Sequence, residues 1–156
     1  MTHMKKNILV VDDSALMRRV MCDIINSDSK FQATDYCRDG LEAYEKLKHT
    51  SYDGVVLDVN MPRMDGLQLL EKLQKEGIRA NVVMVSTLTD SREADVTILA
   101  MERGAIDFVA KPTNIIEAKG EAFKRQLLGV LNAVLATQKA AESVRPAVKP
   151  VAKAPM

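Results

Sequence analysis

A chain of 156 residues with 47% hydrophobic and 28% charged side chains is long enough to form one globular domain with its own core. The formal net charge is +1 and aromatic residues make up 4%, which gives no support for a nucleic-acid interface, membrane binding or a platform for stacked bases. Cys22 and Cys37 are far apart and have no neighbouring histidine, so we expect no zinc site and two thiols packed inside a cytoplasmic protein.

No segment is typical of a targeting peptide or a membrane span. The first apolar run has only four residues and ends in two acids, and no stretch approaches the roughly 20 apolar residues that a membrane helix needs. We therefore expect a cytoplasmic protein with no membrane insertion. Met4 is an alternative natural start, in which case Met1-Thr2-His3 is not native.

Strand-like and helix-like segments alternate along the chain. Continuous apolar runs predict strands at about residues 7–12, 53–58 and 81–86, a pattern typical of a parallel sheet that is covered on both faces. A weaker strand is predicted at about 32–37, where polar residues favour a position at the edge of the sheet. A further short run predicts the last strand at about 106–110.

Amphipathic stretches between the strands predict helices. Asp39 is the predicted N-cap of the second helix, and Asp65 with Gln68 predicts a capping box that opens the third. Gly104 predicts the end of a fourth helix, which begins at about residue 91. Apolar residues repeat with helical spacing in the first three helices at Met17-Val20-Met21-Ile24, Leu41-Tyr44-Leu47 and Leu67-Leu70-Leu73.

A fifth amphipathic helix, from about Phe123 to residue 138, completes five strand–helix units. Successive right-handed crossovers then predict an α/β fold, a doubly wound five-stranded parallel sheet with five helices. From Ala140 onward, Ala, Pro, Val and Lys follow no helical or strand period, as in an extended linker. The predicted organisation is one domain at residues 5–138 and an Ala/Pro/Lys-rich linker or tail at 139–156.

Polar residues follow the apolar runs at the points where the predicted strands end. The carboxyl ends of parallel strands share one edge of a sheet, which is where such folds place their functional sites. Three carboxylates with no neighbouring His or Cys suit Mg²⁺, because close carboxylates repel one another unless a cation joins them. These residues are, in chain order, Asp12, Asp13, Asp58, Ser86, Thr87 and Lys111.

The same set of residues suits the transfer of a phosphoryl group. A carboxylate can attack phosphorus and form an aspartyl phosphate, and Asp58 is the candidate because it stands alone at the end of the middle strand. Lys111 can supply an ammonium, and Ser86 or Thr87 can donate from a hydroxyl. Simpler roles stay open for single residues: Asp13 or Thr87 as a helix cap, and Lys111 as a surface charge.

Four motifs together resemble the receiver domain of two-component response regulators. They are Val10-Val11-Asp12-Asp13-Ser14, Asp58-Val59-Asn60-Met61-Pro62-Arg63-Met64-Asp65-Gly66, Ser86, and Phe108 with Lys111-Pro112. The resemblance covers about residues 5–138 and implies the flavodoxin-like strand order 2-1-3-4-5. It also implies a signalling switch that a histidine kinase phosphorylates, and whose own reactions are self-phosphorylation and slow self-dephosphorylation.

The resemblance implies a metal site around the phosphorylated residue. Asp58 would be the phosphoacceptor. Asp13, Asp58 and the backbone carbonyl of Asn60 would hold Mg²⁺, and Asp12 would act mostly through a water molecule. The motifs thus assign one role to each of the acids that follow the first and third strands.

The resemblance also implies which residues respond to phosphorylation. Ser86 would bond the phosphoryl group, Lys111 would neutralise it, and Phe108 would swing inward on activation. The family often has Tyr at the position of Phe108, so a hydroxyl contact is missing here. The peptide bond between Lys111 and Pro112 would be cis, and Thr87 is left with a capping or loop role.

A finer resemblance is to the receiver domain of chemotaxis protein-glutamate methylesterase, at residues 85–89 and 100–112. The loop after Ser86 is also longer than in single-domain receivers, and the tail resembles the interdomain linker of that family. Because no catalytic serine domain follows by Met156, we expect the regulatory part of a methylesterase and no enzyme activity in this chain. The alternative is a stand-alone receiver or a phosphate sink.

Two other functions fit the sequence less well. A phosphohydrolase with an Asp nucleophile after the first strand needs two acids separated by one residue, whereas Asp12 and Asp13 are adjacent. A nucleotide or flavin binder needs a glycine-rich loop after the first strand, where Asp13-Ser14-Ala15 stands instead. Both alternatives therefore lack the residues that their chemistry requires.

Overall fold

The structure is a computed structural model that describes residues 5–87 and 93–144. Within these ranges, five strands alternate with six helices. The strands are β1 Lys6–Val11, β2 Phe31–Cys37, β3 Gly54–Leu57, β4 Val82–Ser86 and β5 Asp107–Ala110. The helices are α1 Ala15–Asn26, α2 Gly40–His49, α3 Gly66–Lys75, α4 Glu93–Glu102, α5 Ile115–Ala118 and α6 Glu121–Val144.

The five strands form one parallel sheet in the order β2-β1-β3-β4-β5. This arrangement confirms the predicted doubly wound sheet and its flavodoxin-like order. The edge position of β2 is also confirmed, which explains why that strand tolerates polar residues. Because the connections leave β1 and β3 in opposite directions, a crevice opens at the carboxyl ends of these two strands.

Helices cover both faces of the sheet, so the strands are buried on both sides. Ile8 and Val10 of β1 pack in a core with α1, α5 and α6, whereas Leu9 and Val11 pack in a second core with α2, α3 and α4. All four side chains are fully buried. Burial on both faces requires apolar residues at every position, which is why the strands have continuous apolar runs.

The caps of three helices fix where the loops around the crevice end. Asp39 caps α2, and Asp65 with Gln68 forms the capping box of α3, as predicted. Ser14 caps α1 through its side chain, and its backbone is extended. The alternative in which Asp13 caps α1 is therefore wrong, because Ser14 is the cap. The Asp13 carboxylate is thus available for other contacts.

The C-terminal part of the fold differs from the predicted single fifth helix. Asn114 caps an additional one-turn helix, α5, which is too short to show a helical period in the sequence. The final helix, α6, continues to Val144 and crosses the predicted boundary at 138/139. Residues 139–144 are therefore helical, and the rest of the predicted tail, 145–156, lies outside the described residues.

Some predictions fall on parts of the chain that the structure does not describe. These are the origin of Met1-Thr2-His3, the long loop after Ser86 and the start of the fourth helix at residue 91. Gly104 lies two residues after the end of α4 and has a positive φ of 105°, as predicted for a residue that ends a helix. Among the described residues, no helix is both long enough and apolar enough to cross a membrane.

Candidate functional site

Three carboxylates meet at the crevice between β1 and β3. Val11 and Leu57 are paired across the two strands, so the next residues, Asp12 and Asp58, leave the sheet side by side. Oxygen atoms of Asp12, Asp13 and Asp58 all lie within 4.8 Å of one another. Asp12 is fully buried and Asp58 is 4% exposed, whereas Asp13 is open to solvent. The sequence prediction that these acids cluster is thus supported by the geometry.

Backbone hydrogen bonds hold the two buried carboxylates in place. The amide of Asp58 donates to the carbonyl of Val11 and extends the sheet by one residue. Oδ1 of Asp12 accepts from the amide of Ser14 at 2.9 Å, and Oδ1 of Asp58 accepts from the amide of Val59 at 2.8 Å. Each carboxylate therefore sits on a rigid strand end with one oxygen already oriented.

Lys111 bridges the two buried acids. Its Nζ lies 2.8 Å from Oδ2 of Asp12 and 3.1 Å from Oδ2 of Asp58, and its side chain is 11% exposed. The backbone amide of Lys111 donates to the carbonyl of Ser86 at 2.9 Å, which aligns the ends of β4 and β5. Lys111 is thus part of the site, and its alternative role as a solvated surface charge is wrong.

The charges of the site do not cancel. Three carboxylates are matched by only one ammonium, so the site keeps a net negative formal charge. Burial and the neighbouring charge of Asp12 raise the pKa of Asp58 to about 6, despite the opposing effect of Lys111. Burial acts to lower the pKa of Lys111, but attraction to Asp58 and Asp12 outweighs it, so that pKa is raised. The site therefore favours an additional cation.

The donor set fits a hard divalent cation such as Mg²⁺. All three ligating groups are carboxylates, and hard oxygen ligands are those that Mg²⁺ prefers. Asp13 lies on the solvent side of the cluster, which leaves room for the water molecules that Mg²⁺ usually retains. That Asp13, Asp58 and the backbone carbonyl of Asn60 would hold the ion, with Asp12 acting mostly through a water molecule, stays a prediction from the resemblance.

The remaining predicted site residues lie on β4, on β5 and in the loops that follow β3 and β4. Ser86 is the last residue of β4 and is buried, next to Lys111 through their backbone hydrogen bond. Phe108 of β5 is half-buried against the core that contains α2, α3 and α4. Asn60 is exposed in the loop after β3, and Thr87 is a half-buried loop residue. The roles of these residues in binding the metal and the phosphoryl group stay predictions.

The predicted cis peptide bond is wrong, because Lys111–Pro112 is trans. The trans isomer is the favoured form of most X-Pro bonds. The expectation of a cis bond came only from the resemblance, and no other feature of the residues around Pro112 favoured it.

Two residues near the acids were not singled out by the sequence. A Cβ at Gly66 would lie 2.2 Å from the carbonyl oxygen of Asp58, so only glycine fits there. Arg18 donates from Nη1 to the carbonyl of Asp12 at 2.8 Å, and its guanidinium lies 5.4 Å from the ring centre of Tyr36. The Asp-Gly pair before an apolar helix was a signal for Gly66, whereas Arg18 had none.

Comparison with known proteins gives relatives along most of the chain. Residues 8–120 match the family model described as the response regulator receiver domain. A protein-glutamate methylesterase/protein-glutamine glutaminase from Pyrococcus horikoshii is 45% identical over 124 residues, 80% of this chain and 33% of the relative. One from Shigella boydii is 44% identical over 147 residues, 93% of this chain and 42% of the relative. The chain thus spans about a third of the length of several such relatives.

Solved structures show the same fold. The response regulator domain of Thermotoga maritima CheB has a TM-score of 0.73 and 33% identity, with 94% of this chain and all of that chain covered. A complex of CheX, CheY, BeF3 and Mg from Borrelia burgdorferi has a TM-score of 0.68 and 29% identity, with 83% and 88% covered. Together with the acid cluster and its lysine, these matches show that the chain belongs to the response regulator receiver domain family.

Proposed function

We propose that this chain is a phosphorylation-dependent switch in which Asp58 accepts a phosphoryl group from a histidine kinase. The observation that carries the proposal is the pair of buried carboxylates bridged by Lys111 beside a third, exposed carboxylate. An Asp58 oxygen would form a bond to phosphorus as the bond from phosphorus to the kinase imidazole nitrogen breaks. The site favours this chemistry because it combines a nucleophile, a cation-binding cluster and a fixed ammonium.

The residues around Asp58 would each have a different role in phosphoryl transfer. Bound Mg²⁺ would offset negative charge on the transferring oxygens. Lys111 would contribute its ammonium, which is already paired with Asp58. Buried Ser86 would donate a hydrogen bond from its hydroxyl to the phosphoryl group. Because strand ends position Asp58, Ser86 and Lys111, little reorganisation is needed when the phosphoryl group arrives.

The output of the switch would be a changed surface around α4, β5 and α6. Ile98 and Met101 of α4 and Ile106 before β5 are exposed although they are apolar. Phe108 is half-buried close to this surface, and we propose that it moves further inward on phosphorylation. Phosphorylation would shift the population between two arrangements of this surface, which requires that the phosphoryl group stabilise one arrangement more than the other. A partner that binds the two arrangements with different affinity would then detect the shift.

The relatives favour a place in chemotaxis signalling. We propose that the chain is the regulatory part of a cytoplasmic protein-glutamate methylesterase, with residues 139–156 as the connection to a catalytic domain. The 44% identity over 93% of this chain to such an enzyme supports the assignment. A stand-alone receiver or phosphate sink is the alternative, and it predicts that phosphorylated protein alters no methylesterase activity. Nucleic acid is not among the proposed partners, since the formal net charge is +1.

Intact-mass spectrometry after incubation with acetyl phosphate and Mg²⁺ tests the phosphorylation site. The wild-type chain is expected to gain one phosphoryl group, and to gain none in EDTA. Asp58→Asn is expected to gain none, whereas Asp95→Asn, at an exposed position of α4, is the matched control that behaves as wild type. A phosphoryl group on Asp58→Asn would refute the assignment, and steady turnover of a phosphate ester would favour a phosphohydrolase.

A further inference from the structure

The loop between β3 and α3 contains a strained turn close to the acid cluster. Arg63 has a φ of 67°, which side-chain-bearing residues rarely adopt. The amide of Met64 donates to the carbonyl of Pro62 at 2.7 Å, so Arg63 is the central residue of a γ-turn of the strained kind. Asn60 lies in the same loop. Such strain persists only where surrounding contacts hold it.

The side chain of Arg63 supplies one of these contacts. Its Nε lies 2.9 Å from Oδ2 of Asp39, and its Nη2 donates to the same oxygen. Asp39 is 3% exposed, and its other oxygen accepts from the amide of Glu42 at 2.9 Å to cap α2. The buried Asp39 carboxylate, which is already fixed as the cap of α2, thus holds the guanidinium of Arg63 through two charge-assisted hydrogen bonds.

Backbone contacts anchor both ends of the same loop. The amide of Gly40 donates to the carbonyl of Met64 at 2.8 Å, and a Cβ at Gly40 would lie 2.4 Å from that oxygen. At the other side, the amide of Gly66 donates to the carbonyl of Val59 at 2.8 Å. The loop therefore closes on itself next to Asp58, and its outer part is fastened to the start of α2.

We infer that the Arg63–Asp39 pair is a positioning device for the metal site. By holding the strained turn, the pair keeps the preceding loop, with the backbone carbonyl of Asn60, in the arrangement that binds the cation before the cation arrives. Arg63 and Asp39 act through the loop and are not ligands themselves. The inference rests on the Mg²⁺ site of the proposed function and adds two residues that determine its affinity.

Charge alone predicts the opposite effect from positioning. Removing Arg63 removes a positive charge from the neighbourhood of the acids, so a purely Coulombic contribution would make Mg²⁺ bind more tightly. Loss of positioning makes Mg²⁺ bind more weakly. The sign of the change in affinity therefore separates the two explanations.

Two substitutions at residue 63 separate positioning from stability. Arg63→Gly removes the pair and also relieves the strain, because glycine adopts a positive φ freely, whereas Arg63→Ala removes the pair and keeps the strain. In EDTA, the Tm of Arg63→Gly is expected to exceed that of Arg63→Ala. Both variants are expected to raise the Mg²⁺ dissociation constant about five- to tenfold in isothermal titration calorimetry, because both lack the pair and because glycine leaves the positive φ as freely as it adopts it, so the turn is no longer held. A purely structural role would instead make affinity follow Tm.

Asp39→Asn tests the other partner of the pair. Asparagine is as good an N-cap as aspartate, so α2 keeps its cap while the charge that holds Arg63 is lost. The Mg²⁺ dissociation constant is expected to rise as in Arg63→Gly, and the double variant Asp39→Asn/Arg63→Gly is expected to bind no more weakly than either single variant. Arg79→Ala, at an exposed position, is the charge-matched control and is expected to bind Mg²⁺ as the wild type does.

Two results would overturn the inference in distinguishable ways. Wild-type affinity or tighter binding in Arg63→Gly, with Mg²⁺ binding intact in the wild type, would refute the positioning role alone. Absence of Mg²⁺ binding in the wild-type chain would refute the metal site of the proposed function and the inference together.

Discussion

The ammonium of Lys111 lies 3.1 Å from Oδ2 of Asp58, although 53 positions separate the two residues in the chain. The same ammonium contacts Asp12 at 2.8 Å, so one cation serves two buried carboxylates. Burial, together with the negative charge of Asp12 that the shared ammonium does not fully offset, raises the pKa of Asp58 to about 6. This imbalance makes the stability of the domain sensitive to pH, to substitution of either partner and to divalent cations.

Asp58→Asn is expected to stabilise the domain at neutral and higher pH. The folded-state pKa of about 6 lies above the ordinary aspartate value of 3.8, so the folded protein prefers protonated Asp58. That stabilisation is complete below about pH 4 and is lost as the pH rises through about 6. In EDTA, urea denaturation is expected to give a gain of about 2–3 kcal/mol at pH 8 and about half of that at pH 5.

The exposed Asp95→Asn serves as the control for this pH dependence, with a change within about 0.5 kcal/mol at both pH values. A gain from Asp58→Asn that does not change between pH 5 and pH 8 would contradict the raised pKa of Asp58 as its cause.

Lys111→Met is expected to destabilise the domain, because it leaves Asp12 and Asp58 buried without their shared ammonium. Breaking a buried ion pair in this way costs about 3–5 kcal/mol. Urea denaturation in EDTA should show this loss, and saturating Mg²⁺ should recover part of it by mass action. Lys119→Met, at an exposed position after α5, is the control, and equal stability of the two variants would contradict the bridging role.

Gly66→Ala is expected to disturb the phosphorylation site through the backbone. The new Cβ would meet the carbonyl oxygen of Asp58 at 2.2 Å, so the strand end that carries the phosphoacceptor must move. Overpacking of this kind costs about 1–3 kcal/mol, and phosphorylation by acetyl phosphate is expected to slow at least tenfold. The rate is measured by intact-mass spectrometry, and an unchanged rate would contradict the close fit.

Gly129→Ala is the matched control for this substitution. Gly129 lies inside α6, and nothing lies within 4 Å of the position that its Cβ would take. Alanine is favoured over glycine inside a helix, so a gain of about 0.5–1 kcal/mol is expected with no change in phosphorylation rate.

Ser86→Ala is expected to separate the binding of the phosphoryl group from the binding of the metal. Ser86 is buried beside Lys111, and we propose that its hydroxyl donates to the phosphoryl group. A hydrogen bond to a charged group contributes about 1.5–3 kcal/mol, so beryllofluoride, a stand-in for that group, should bind about tenfold or more weakly. Calorimetry should show an unchanged Mg²⁺ dissociation constant, and equal weakening for both ligands would contradict the assignment.

The sheet and most of the helix starts could be predicted from the order of the amino acids. Continuous apolar runs predicted buried parallel strands, the polar β2 predicted an edge, and Asp39 and Asp65 predicted caps, since all of these are local requirements of burial or hydrogen bonding. The sequence also predicted which polar residues follow the strands, because a parallel sheet places all of these ends at one edge. Local rules failed at α5, because one helical turn shows no period.

The interactions among those residues could not be predicted from the sequence and depend on how the chain folds. The bridge from Lys111 to two acids, the raised pKa of Asp58 and the fit of Gly66 depend on distances between segments that are remote in sequence. The contact between Arg63 and Asp39 also joins remote segments. Arg63 has a strained backbone in the loop between β3 and α3, and the carboxylate that holds its side chain lies between β2 and α2. Periodicity and capping describe neighbours along the chain, whereas charge, burial and close approach are set by neighbours in space.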